Sequence, residues 1–559
     1  MASGSPAKTR AMRVASFAHA DSRWKQLAQL LLKPPLFRYI GFACLAVALW
    51  GVLIGAWDPP FPYRAGDVPD RPIVSRTDFS ASNPVTPDGE PIMFRAGQKL
   101  AEAGRPLTAE QVRLLRSEHA AVLAQRSLAE RMGRFLGMWV LMLSLLGLSG
   151  LYLYVHAAEV FRDERRLMVL VLMSLGASAI AQWLAHEAWR GELVPVLGFT
   201  QGVAIALGRE LALLFGSLVA LATIVALGQP VSALLVLLGV MAVACMQLRH
   251  VRTRSKLLQV GVVAGGAAFV LTLAGYALQT GMLPAPAWRL ALYNSLWTIA
   301  SGFLIFGLLQ PIERLFGVLT DISLLELADM SQPLLQELLR RAPGTHSHSV
   351  LVGAMAEAAA EAIGARGLLA RVGAYYHDIG KILQPEYFVE NQTNGENRHN
   401  NLRPAMSSLI IMSHVKDGVN LARQYGLPQA IIDFIEQHHG TTLVRYFYDR
   451  ATEEWRATRD LPAVDESTFR YRGPKPKTKE VAIVMLADSV ESACRCLDEP
   501  TPSRIEHLVR QISRHKLEDG QFDDCDLTFE ELRKIENSLI NTLVANYHGR
   551  IKYPTAAAV

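Results

Sequence analysis

The stretch Tyr376-His377-Asp378-Ile379-Gly380-Lys381 places an imidazole directly beside a carboxylate, which is not typical of a neutral surface segment. Further histidines and one aspartate flank it along the chain, namely His348, His414, His438, His439 and Asp488. Imidazole and carboxylate groups are the ligands that a borderline transition metal prefers. The sequence therefore predicts that the chemistry of this chain lies in its C-terminal part.

The composition indicates a membrane protein of more than one domain. The chain has 559 residues, of which 50% are hydrophobic, and its mean hydropathy is +0.19. This length favours two or three units, and the apolar content favours membrane spans over a larger soluble core. The net charge of +5 is mild and gives no reason to expect a nucleic-acid polymer as a partner.

The N-terminal region predicts a cytoplasmic tail followed by a membrane span. Residues 1–38 carry seven basic side chains and one acid, and the apolar run 39–57 follows. By the positive-inside rule the tail is cytoplasmic and 39–57 is the first transmembrane helix. A signal peptide is the alternative interpretation, but the basic region is long and no small-residue cleavage site follows.

Residues 58–131 are expected to form a short extracytoplasmic segment. Its first half is rich in proline, which excludes a continuous helix. In the second half, Thr108 and Gln111 form a capping box, and Leu107 with Val112 fits a hydrophobic staple. A helix of about twenty residues is therefore predicted to begin there.

Residues 132–311 are predicted to be a multi-span transmembrane domain. Spans are expected near 134–156, 167–186, 193–208, 210–228, 230–247, 258–279 and 289–311, which makes eight with the first. Basic clusters at 162–166 and 249–256 then lie on the cytoplasmic side, and both termini are cytoplasmic in an inner (plasma) membrane protein. Arg209-Glu210 interrupts the apolar sequence and is interpreted as a turn, with a buried functional pair as the alternative.

The remainder of the chain is predicted to be helical, so the fold class is all-α. Residues 312–345 have the apolar spacing of amphipathic linker helices, with Pro343-Gly344 as a turn before the helix that bears His348. Residues 346–559 are expected to form a soluble, cytoplasmic, mostly helical domain. The polytopic membrane domain would thus be followed by a separate catalytic domain.

The histidines and aspartates of this domain suffice for two metal ions. The predicted ligands are His348, His377, Asp378, His414, His438, His439 and Asp488. Asp378 can bridge two cations, and a two-metal centre activates water for in-line attack at phosphorus. Iron, manganese and zinc all accept such ligands. Lys381, close after His377, is predicted to hold a phosphate oxygen, so Asp378 and Lys381 are the candidate catalytic residues.

Simpler interpretations apply to individual residues. Any one of these histidines can be a hydrogen-bonded structural residue, although seven at these spacings favour a metal site. His399 is a candidate substrate contact, with a solvated loop residue as the alternative. Tyr376 is a candidate for stacking on a base, with a buried helix aromatic as the alternative.

Beyond these residues, several stretches resemble the seven-transmembrane HD-domain phosphohydrolases of the PgpH type, whose members degrade cyclic di-AMP. The resemblance covers most of 312–553 and is less detailed in the membrane region. The stretches that carry it are Leu319-Thr-Asp-Ile, Ala342-Pro-Gly-Thr, Ala374-Tyr-Tyr-His-Asp-Ile-Gly-Lys, Ile411-Met-Ser-His-Val-Lys-Asp-Gly, Gln437-His-His-Gly-Thr, Gly473-Pro-Lys-Pro and Leu517-Glu-Asp-Gly-Gln.

The resemblance implies how the ligands are shared between two divalent ions of manganese or iron. One ion would be held by His348, His377, Asp378 and Asp488, and the other by Asp378, His414, His438 and His439. Two departures stand out. The large extracellular domain of the family is reduced here to about seventy residues, and the first motif, residues 345–349, reads Thr-His-Ser-His-Ser where the family has adjacent histidines.

The expected function is a membrane-anchored, metal-dependent phosphodiesterase of the HD superfamily. It would hydrolyse a cyclic dinucleotide, cyclic di-AMP to pApA, with water activated by two metal ions. The alternatives are an HD hydrolase that acts on another nucleotide and a membrane nucleotide receptor without catalysis. The expected partners are the cyclic dinucleotide and membrane lipid, and the sequence is compatible with a homo-oligomer.

Overall fold

The computed structural model of the chain describes residues 46–47, 50–51, 55–69, 71–85, 91–185, 190–248, 253–392, 397–458, 464–497 and 499–548. The basic N-terminal tail lies outside the described residues, and so does most of the predicted first span. The chain divides into two compact units, residues 1–318 and 319–559. The predicted linker 312–345 is therefore divided between the two units, and most of it belongs to the second.

The first unit begins with a small segment that contains strands. Strands β1 (Ile73–Val74) and β4 (Lys99–Ala101) pair antiparallel, as do β2 (Phe79–Val85) and β3 (Pro91–Phe94), with Phe79 opposite Phe94. The helical fold class is confirmed, and within the described residues these two-stranded sheets are the exception. They arise where the many prolines and turns exclude helix.

Helix α1 (Ala109–Ala124) covers these strands and begins at the predicted capping box. The Thr108 side chain accepts from the Gln111 backbone N–H, and the Gln111 side chain accepts from the Thr108 N–H. Two backbone donors at the helix start are thereby satisfied. Leu107, Val112 and Leu115 are buried against the strands in one apolar cluster. The helix start was therefore predicted correctly from local sequence.

Seven of the helices that follow in the first unit coincide with seven of the eight predicted spans. They are α2 (Leu128–His156), α4 (Glu164–Leu184), α5 (Leu193–Leu207), α6 (Arg209–Leu227), α7 (Val231–Gln247), α8 (Arg254–Thr280) and α9 (Ala285–Phe316), and the short helix α3 (Ala158–Arg162) joins α2 to α4. Among the described residues, α2, α4, α6, α8 and α9 are long and apolar enough to cross a membrane. Helices α5 and α7 are equally apolar but have only 15 and 17 residues.

Burial separates the inner helices of this bundle from the outer ones. Helix α5 is enclosed, with Leu197 and Val203 fully buried, whereas α2, α8 and α9 expose large apolar side chains such as Leu148, Val270 and Phe303. Extended exposed apolar surface of this kind is typical of a helix that contacts a membrane or a partner protein. Between α5 and α6, Gly208 adopts a positive φ of 99° and Arg209 pairs with Glu210 at 3.1 Å, so the predicted turn is confirmed.

The second unit is mostly helical, and its described residues include one isolated antiparallel bridge, between Leu443 and Arg470. Its helices are α10 (Asp321–Leu327), α11 (Pro333–Arg341), α12 (Pro343–Ala362), α13 (Gly367–Tyr376), α14 (Pro404–Gln424), α15 (Gln429–Gln437), α16 (Arg445–Thr458), α17 (Lys479–Arg495), α18 (Pro502–Glu518) and α19 (Phe529–His548). Short 3₁₀ segments occupy Ile379–Leu383, Pro385–Tyr387, Val389–Asn391, Arg398–Asn401 and Glu466–Phe469.

Two apolar clusters hold this unit together. One surrounds α17 and contains Val484 and Leu486, together with residues of α12, α18 and α19. The other joins α10 and α11 to α13 and α15, with Leu324 and Leu338 fully buried in it. The helices predicted as linkers therefore contribute to the core of the second unit.

One local prediction at the start of α12 was wrong. Pro343-Gly344 is not a turn before the helix but its first turn. Proline is compatible with this position because the first N–H of a helix has no partner within the helix. Gly344 is required there for packing, since a Cβ atom would collide with the carbonyl oxygen of Glu390.

Candidate metal centre

Five helices bring the seven predicted ligands into one cluster. Helix α12 carries His348, α14 carries His414 and α17 carries Asp488, while His377-Asp378 and His438-His439 directly follow the ends of α13 and α15. Six of the seven residues are buried, and the His439 side chain remains 21% exposed. The cluster therefore has its accessible side at His439.

The carboxylate of Asp378 lies at the centre of the cluster, and its two oxygens face different histidines. Oδ2 lies 3.1 Å from Nε2 of His377 and 3.8 Å from Nε2 of His348. Oδ1 lies 3.4 Å from Nε2 of His414 and 3.7 Å from Nε2 of His438. Each oxygen is thus shared with its own pair of imidazoles, which is the arrangement that a bridging carboxylate requires.

Two groups of ligand atoms result from this arrangement. One contains His348, His377 and Asp378, the other Asp378, His414, His438 and His439, and the atoms within each group lie within 4.8 Å of one another. Asp488 lies beside both groups. Its Oδ1 is 3.1 Å from Nε2 of His348, and its Oδ2 is 3.9 Å from Nδ1 of His439.

The backbone orients three of the imidazoles for ligation. Nδ1 of His377 lies 2.6 Å from the Ala374 carbonyl oxygen, and Nδ1 of His414 lies 2.6 Å from that of Ile411. Nδ1 of His438 lies 3.0 Å from the Ile435 carbonyl oxygen. A carbonyl can only accept, so Nδ1 carries the proton and donates it, which leaves the Nε2 lone pair directed into the cluster.

Buried polar atoms without hydrogen-bond partners provide an independent test of whether these residues fit metal ions. Nε2 of His377 and Oδ1 of Asp378 are buried without a hydrogen-bond partner among the described residues. Buried polar atoms normally have such partners, and orphaned ones require an explanation. Nitrogen and carboxylate oxygen atoms without any thiolate fit divalent iron, manganese or zinc. The residues present therefore fit metal ions at this site.

Electrostatics favour the ligating protonation states at the centre of the cluster. Burial lowers the pKa of His438 to about 3, and the neighbouring His377 acts in the same direction. Burial likewise lowers the pKa of His414. Burial alone would raise the pKa of Asp378, but the charges of His377 and Lys381 hold it well below its ordinary value. His414 and His438 are thus neutral imidazoles beside an ionised carboxylate.

His348 has a supporting network that the sequence analysis missed. Its Nδ1 lies 2.5 Å from Oε2 of Glu491, and the other carboxylate oxygen of Glu491 accepts from Arg495 at 2.5 Å. Burial opposes protonation of His348, but Asp488 and Glu491 raise its pKa to about 10. A carboxylate behind a ligating histidine fixes the orientation of the ring. Helical spacing is the signal that could have found it, since Asp488, Glu491 and Arg495 share one face of α17.

Lys381 lies at the cluster, held by two carboxylates. Its Nζ is 2.7 Å from Oδ2 of Asp378 and 2.9 Å from Oε1 of Glu390. Burial acts to lower the pKa of Lys381, but the charges of Asp378 and Glu390 raise it above its ordinary value. The side chain therefore remains a cation beside the candidate ligands. Glu390, which the sequence analysis did not consider, positions it.

The side chains of the two other candidate substrate contacts, Tyr376 and His399, are both buried. Tyr376 is 1% exposed in the second apolar cluster, and its hydroxyl donates to the Leu327 carbonyl oxygen at 2.8 Å. This leaves no face to stack on a base, so the structure contradicts the stacking role and supports the buried-aromatic alternative. His399 is 4% exposed, with Nε2 at 2.9 Å from the Tyr387 carbonyl oxygen. The interpretation of His399 as a solvated loop residue was therefore wrong.

Tyr471 is an aromatic neighbour of the site that the sequence analysis missed. Its ring stacks on His439, with centroids 4.3 Å apart and planes inclined by 26°. It lies in a segment without helical or strand periodicity, so no sequence signal pointed to it. The stacking orients His439, whose side chain is the most exposed of the seven ligands.

Comparison with known proteins agrees with this architecture. The family model described as the HD domain matches residues 345–493, and the one described as a 7TM receptor with intracellular HD hydrolase matches residues 133–320. A helical membrane region followed by a helical unit with a His/Asp cluster thus defines the class: a multi-pass membrane protein with an HD domain. In both regions the chain is similar to the seven-transmembrane HD-domain phosphohydrolases of the PgpH type.

Two curated relatives are described as cyclic-di-AMP phosphodiesterase PgpH. The chain is 47% identical to the Bacillus subtilis protein over 304 residues, which is 54% of this chain and 42% of that relative. It is 43% identical to the Listeria monocytogenes protein over 314 residues, which is 56% of this chain and 43% of that relative. The matched segment thus spans less than half the length of either relative.

A solved structure is similar to the second unit in sequence. The crystal structure of the L. monocytogenes PgpH HD domain in complex with cyclic-di-AMP is 49% identical, and the match covers 39% of this chain and 99% of that chain with a TM-score of 0.37.

Proposed function

We propose that the chain is a metal-dependent phosphodiesterase that hydrolyses cyclic di-AMP to pApA. The observation that carries this proposal is the position of Asp378, whose two oxygens each face a separate pair of histidines. The names of the two curated relatives support the choice of cyclic di-AMP among cyclic dinucleotides.

The proposed metal ligands follow the two groups around Asp378. His348, His377, Asp378 and Asp488 would hold one ion, and Asp378, His414, His438 and His439 the other. Manganese and iron are the proposed metals because the resemblance to the PgpH type implies them, and donors that are all nitrogen or carboxylate oxygen are compatible with both. When bound, such ions lower the pKa of water and neutralise charge that develops on a phosphodiester.

The reaction breaks one bond and consumes one water molecule. Water oxygen attacks one phosphorus atom, the bond from that phosphorus to the ribose 3′ oxygen breaks, and the 3′ oxygen takes a proton. The product is a linear dinucleotide with a 5′-phosphate and a 3′-hydroxyl group, which is pApA.

Lys381 is the proposed phosphate-binding residue. Asp378 and Glu390 hold its ammonium group at the cluster, and the ring of Phe388 lies 5.0 Å from its Nζ. Phe388 is itself 5% exposed, so it keeps water from this side of the ammonium group. A cation positioned in this way stabilises negative charge on a non-bridging phosphate oxygen as that charge develops.

The proposed orientation places the HD unit and both termini in the cytoplasm. Arg165 and Arg166 donate to the carbonyl oxygens of Arg314 and Phe316, at 3.1 and 3.2 Å. The basic cluster at the start of α4 therefore lies at the end of the bundle where α9 ends and the chain continues into the HD unit. Because basic loops favour the cytoplasmic side, this contact supports a cytoplasmic HD unit. The exposed apolar side chains of α2, α8 and α9 would then contact the acyl chains of the membrane.

The full chain, purified in detergent and supplied with manganese or iron(II), tests the proposal. Cyclic di-AMP and cyclic di-GMP are incubated with it in parallel, and the products are separated by chromatography. We expect selective conversion of cyclic di-AMP to pApA. Equal turnover of both substrates would contradict the proposed selectivity. No turnover of either, with two metals bound per chain, would contradict the proposed reaction and favour the receptor alternative.

A further inference from the structure

The first unit contains a cavity that the proposed hydrolase activity does not use. It has a volume of about 500 Å³ and lies at one end of the helical bundle, where α6 and α8 end and α7 and α9 begin. Residues 62–69, which precede the first strand, form another part of its wall, and Leu107, Arg190, Glu192 and Leu193 complete it. This volume lies within the range of pockets that enclose small organic molecules. The cavity thus lies at the N-terminal end of α9, whereas the C-terminal end of α9 leads into the HD unit.

Two ion pairs on the wall give the cavity alternating charge. Nη1 of Arg64 lies 3.1 Å from Oε1 of Glu192, and Nη2 of Arg190 lies 3.0 Å from Oδ1 of Asp67. Two cations and two anions leave these pairs with no net charge. A ligand with an uncompensated charge would therefore be disfavoured in this partly buried site. A ligand that carries one charge of each sign would be accommodated.

Glu192 retains an acceptor that nothing in the described protein satisfies. Its Oε1 accepts from Arg64 and, at 2.8 Å, from Gln229, whereas Oε2 is buried without a hydrogen-bond partner among the described residues. Glu192 is only 8% exposed. A buried carboxylate oxygen in this state is a strong site for an ammonium donor, because charge-assisted hydrogen bonds are about twice as strong as neutral ones.

Tyr276 provides a second unsatisfied group in the same cavity. Its hydroxyl, on α8, is buried and has no hydrogen-bond partner among the described residues. Other polar side chains of the wall are paired with one another, as Asn294 is with Thr272 at 3.0 Å. Glu192 and Tyr276 therefore offer hydrogen-bonding capacity that a ligand can use.

The remainder of the wall is apolar. Leu193, Ile224 and Leu237 line it and are each no more than 9% exposed. The guanidinium groups of Arg64 and Arg190 contact their partners through one terminal nitrogen each, and a guanidinium has five N–H donors. The cavity thus combines a carboxylate, two guanidinium groups and an apolar surface.

We propose that this cavity binds a small zwitterion that carries an ammonium group, an oxyanion and an apolar group. The ammonium group contacts Oε2 of Glu192, the oxyanion contacts Arg64 and Arg190, and the apolar group packs against Leu193 and Ile224. Free amino acids and dipeptides with apolar side chains have this chemistry, and so does the headgroup region of phosphatidylethanolamine.

Ligand binding to the full chain in detergent tests the proposal, independently of any hydrolase activity. The probes are L-phenylalanine and L-leucyl-L-leucine, with N-acetyl-L-phenylalanine and L-phenylalaninamide as analogues that lack one charge each. We expect saturable binding of at least one zwitterion, measured by calorimetry, and binding at least about tenfold weaker for each blocked analogue. Equal binding of zwitterions and blocked analogues, or binding of none of them, would overturn the proposal.

Substitutions in the cavity provide the second part of the test. Glu192→Gln removes the negative charge at nearly constant volume, and Tyr276→Phe removes a single oxygen atom. The matched control is Glu210→Gln, which changes an exposed carboxylate at the start of α6, away from the cavity. We expect an affinity loss of about tenfold or more for Glu192→Gln, a smaller loss for Tyr276→Phe and none for the control.

The outcomes of the substitutions are separable from misfolding. The size-exclusion profile and the melting temperature establish whether each variant folds. If Glu192→Gln does not fold, the affinity of Tyr276→Phe alone tests the proposal. Affinities in both cavity variants equal to that of the control would contradict the proposal.

Reconstitution distinguishes the two sources of the zwitterion. Nanodiscs of phosphatidylethanolamine are compared with nanodiscs of phosphatidylglycerol, whose headgroup has no ammonium group. Loss of amino-acid or dipeptide binding only in phosphatidylethanolamine would identify the lipid headgroup as the occupant. Unchanged binding in both bilayers would identify the soluble zwitterion. Both results support the proposed chemistry of the cavity.

Discussion

At the residue scale, Asp378 holds the centre of the candidate metal site, because each of its oxygens serves a different pair of histidines. Asp378→Asn preserves the shape of the side chain but replaces one oxygen and removes the charge. We expect fewer than two metals per chain and a loss of turnover of about 10³-fold, since several kcal/mol of charge stabilisation disappear. Metal analysis and steady-state kinetics measure both effects.

The matched control for this prediction is Asp449→Asn, which makes the same change in a side chain that is 51% exposed. It should leave metal content and turnover unchanged. Full turnover of metal-replete Asp378→Asn would refute the bridging role.

Glu491 is predicted to act through His348 and not by contacting a metal. Its carboxylate lies 2.5 Å from Nδ1 of His348, so Glu491→Gln removes the charge behind this candidate ligand. Substitution of such a supporting carboxylate costs about 10- to 100-fold in metal affinity. Titration with manganese should show this loss, and saturating metal should restore most of the turnover. Failure of excess metal to restore turnover would contradict the positioning role, and exposed Glu453→Gln serves as the control.

The lowered pKa of Lys516 predicts that the free energy of unfolding of the HD unit depends on pH. Burial lowers the pKa of Lys516 to about 8, although Asp488 and Asp519 act in the opposite direction. The unfolded chain therefore binds more protons between this value and the ordinary lysine pKa, and stability rises with pH across that window. Lys516→Met should be more stable than the natural chain at neutral pH, by a difference that shrinks above pH ~8. Melting curves of both chains across this range measure the difference, and a gap independent of pH would contradict the prediction.

At the scale of elements, the close contact between the 3₁₀ segment Ile379–Leu383 and helix α14 positions Asp378 against His414. The contact depends on Gly380, where a Cβ atom would collide with the carbonyl oxygen of His414. Gly380→Ala should destabilise the HD unit by about 3 kcal/mol, because the two elements must separate. The melting temperature of this unit should fall by roughly 6–12 °C.

The control for this element is Leu383→Ala, at the other end of the same segment, where the side chain is 53% exposed. Its effect should remain within about 0.5 kcal/mol. Equal stability of Gly380→Ala and the natural chain would show that the backbone of α14 can move without loss.

Local sequence signals predicted most helices correctly. They failed where a contact between residues distant in the chain determines the secondary structure. The capping box of α1 and the bounds of α17 follow from residues that are neighbours in the chain. The start of α12 was placed too late, because the position of Gly344 depends on the carbonyl of Glu390, 46 residues away. Similarly, the small sheets near the N-terminus depend on pairing between strands, which proline-rich sequence does not reveal.

At the scale of the whole molecule, the boundary between the two units predicts which fragment folds. Residues 319–345 supply Leu324, Leu334, Leu335 and Leu338 to the core of the HD unit, and each is no more than 2% exposed. Their burial contributes roughly 6–12 kcal/mol in total, which is comparable to the stability of an ordinary domain. A fragment of residues 319–559 should therefore fold cooperatively, whereas residues 346–559 should not.

Circular dichroism and thermal melting of the two purified fragments measure this difference. Equal melting temperatures would show that α10 and α11 are linkers, as the amphipathic pattern of 312–345 first indicated.

The amino-acid sequence was sufficient to predict the helical membrane region, the helical C-terminal unit and the set of side chains with metal-binding chemistry. These properties depend on residue type and on spacing along the chain, which hydropathy and periodicity record directly. Helix packing, in contrast, determines the burial of Tyr376 and His399, the division of the two Asp378 oxygens between histidine pairs, and the contact of Glu491 with His348. Such contacts join residues as far as 143 positions apart. They depend on how helices pack in three dimensions, and no local pattern in the chain encodes that packing.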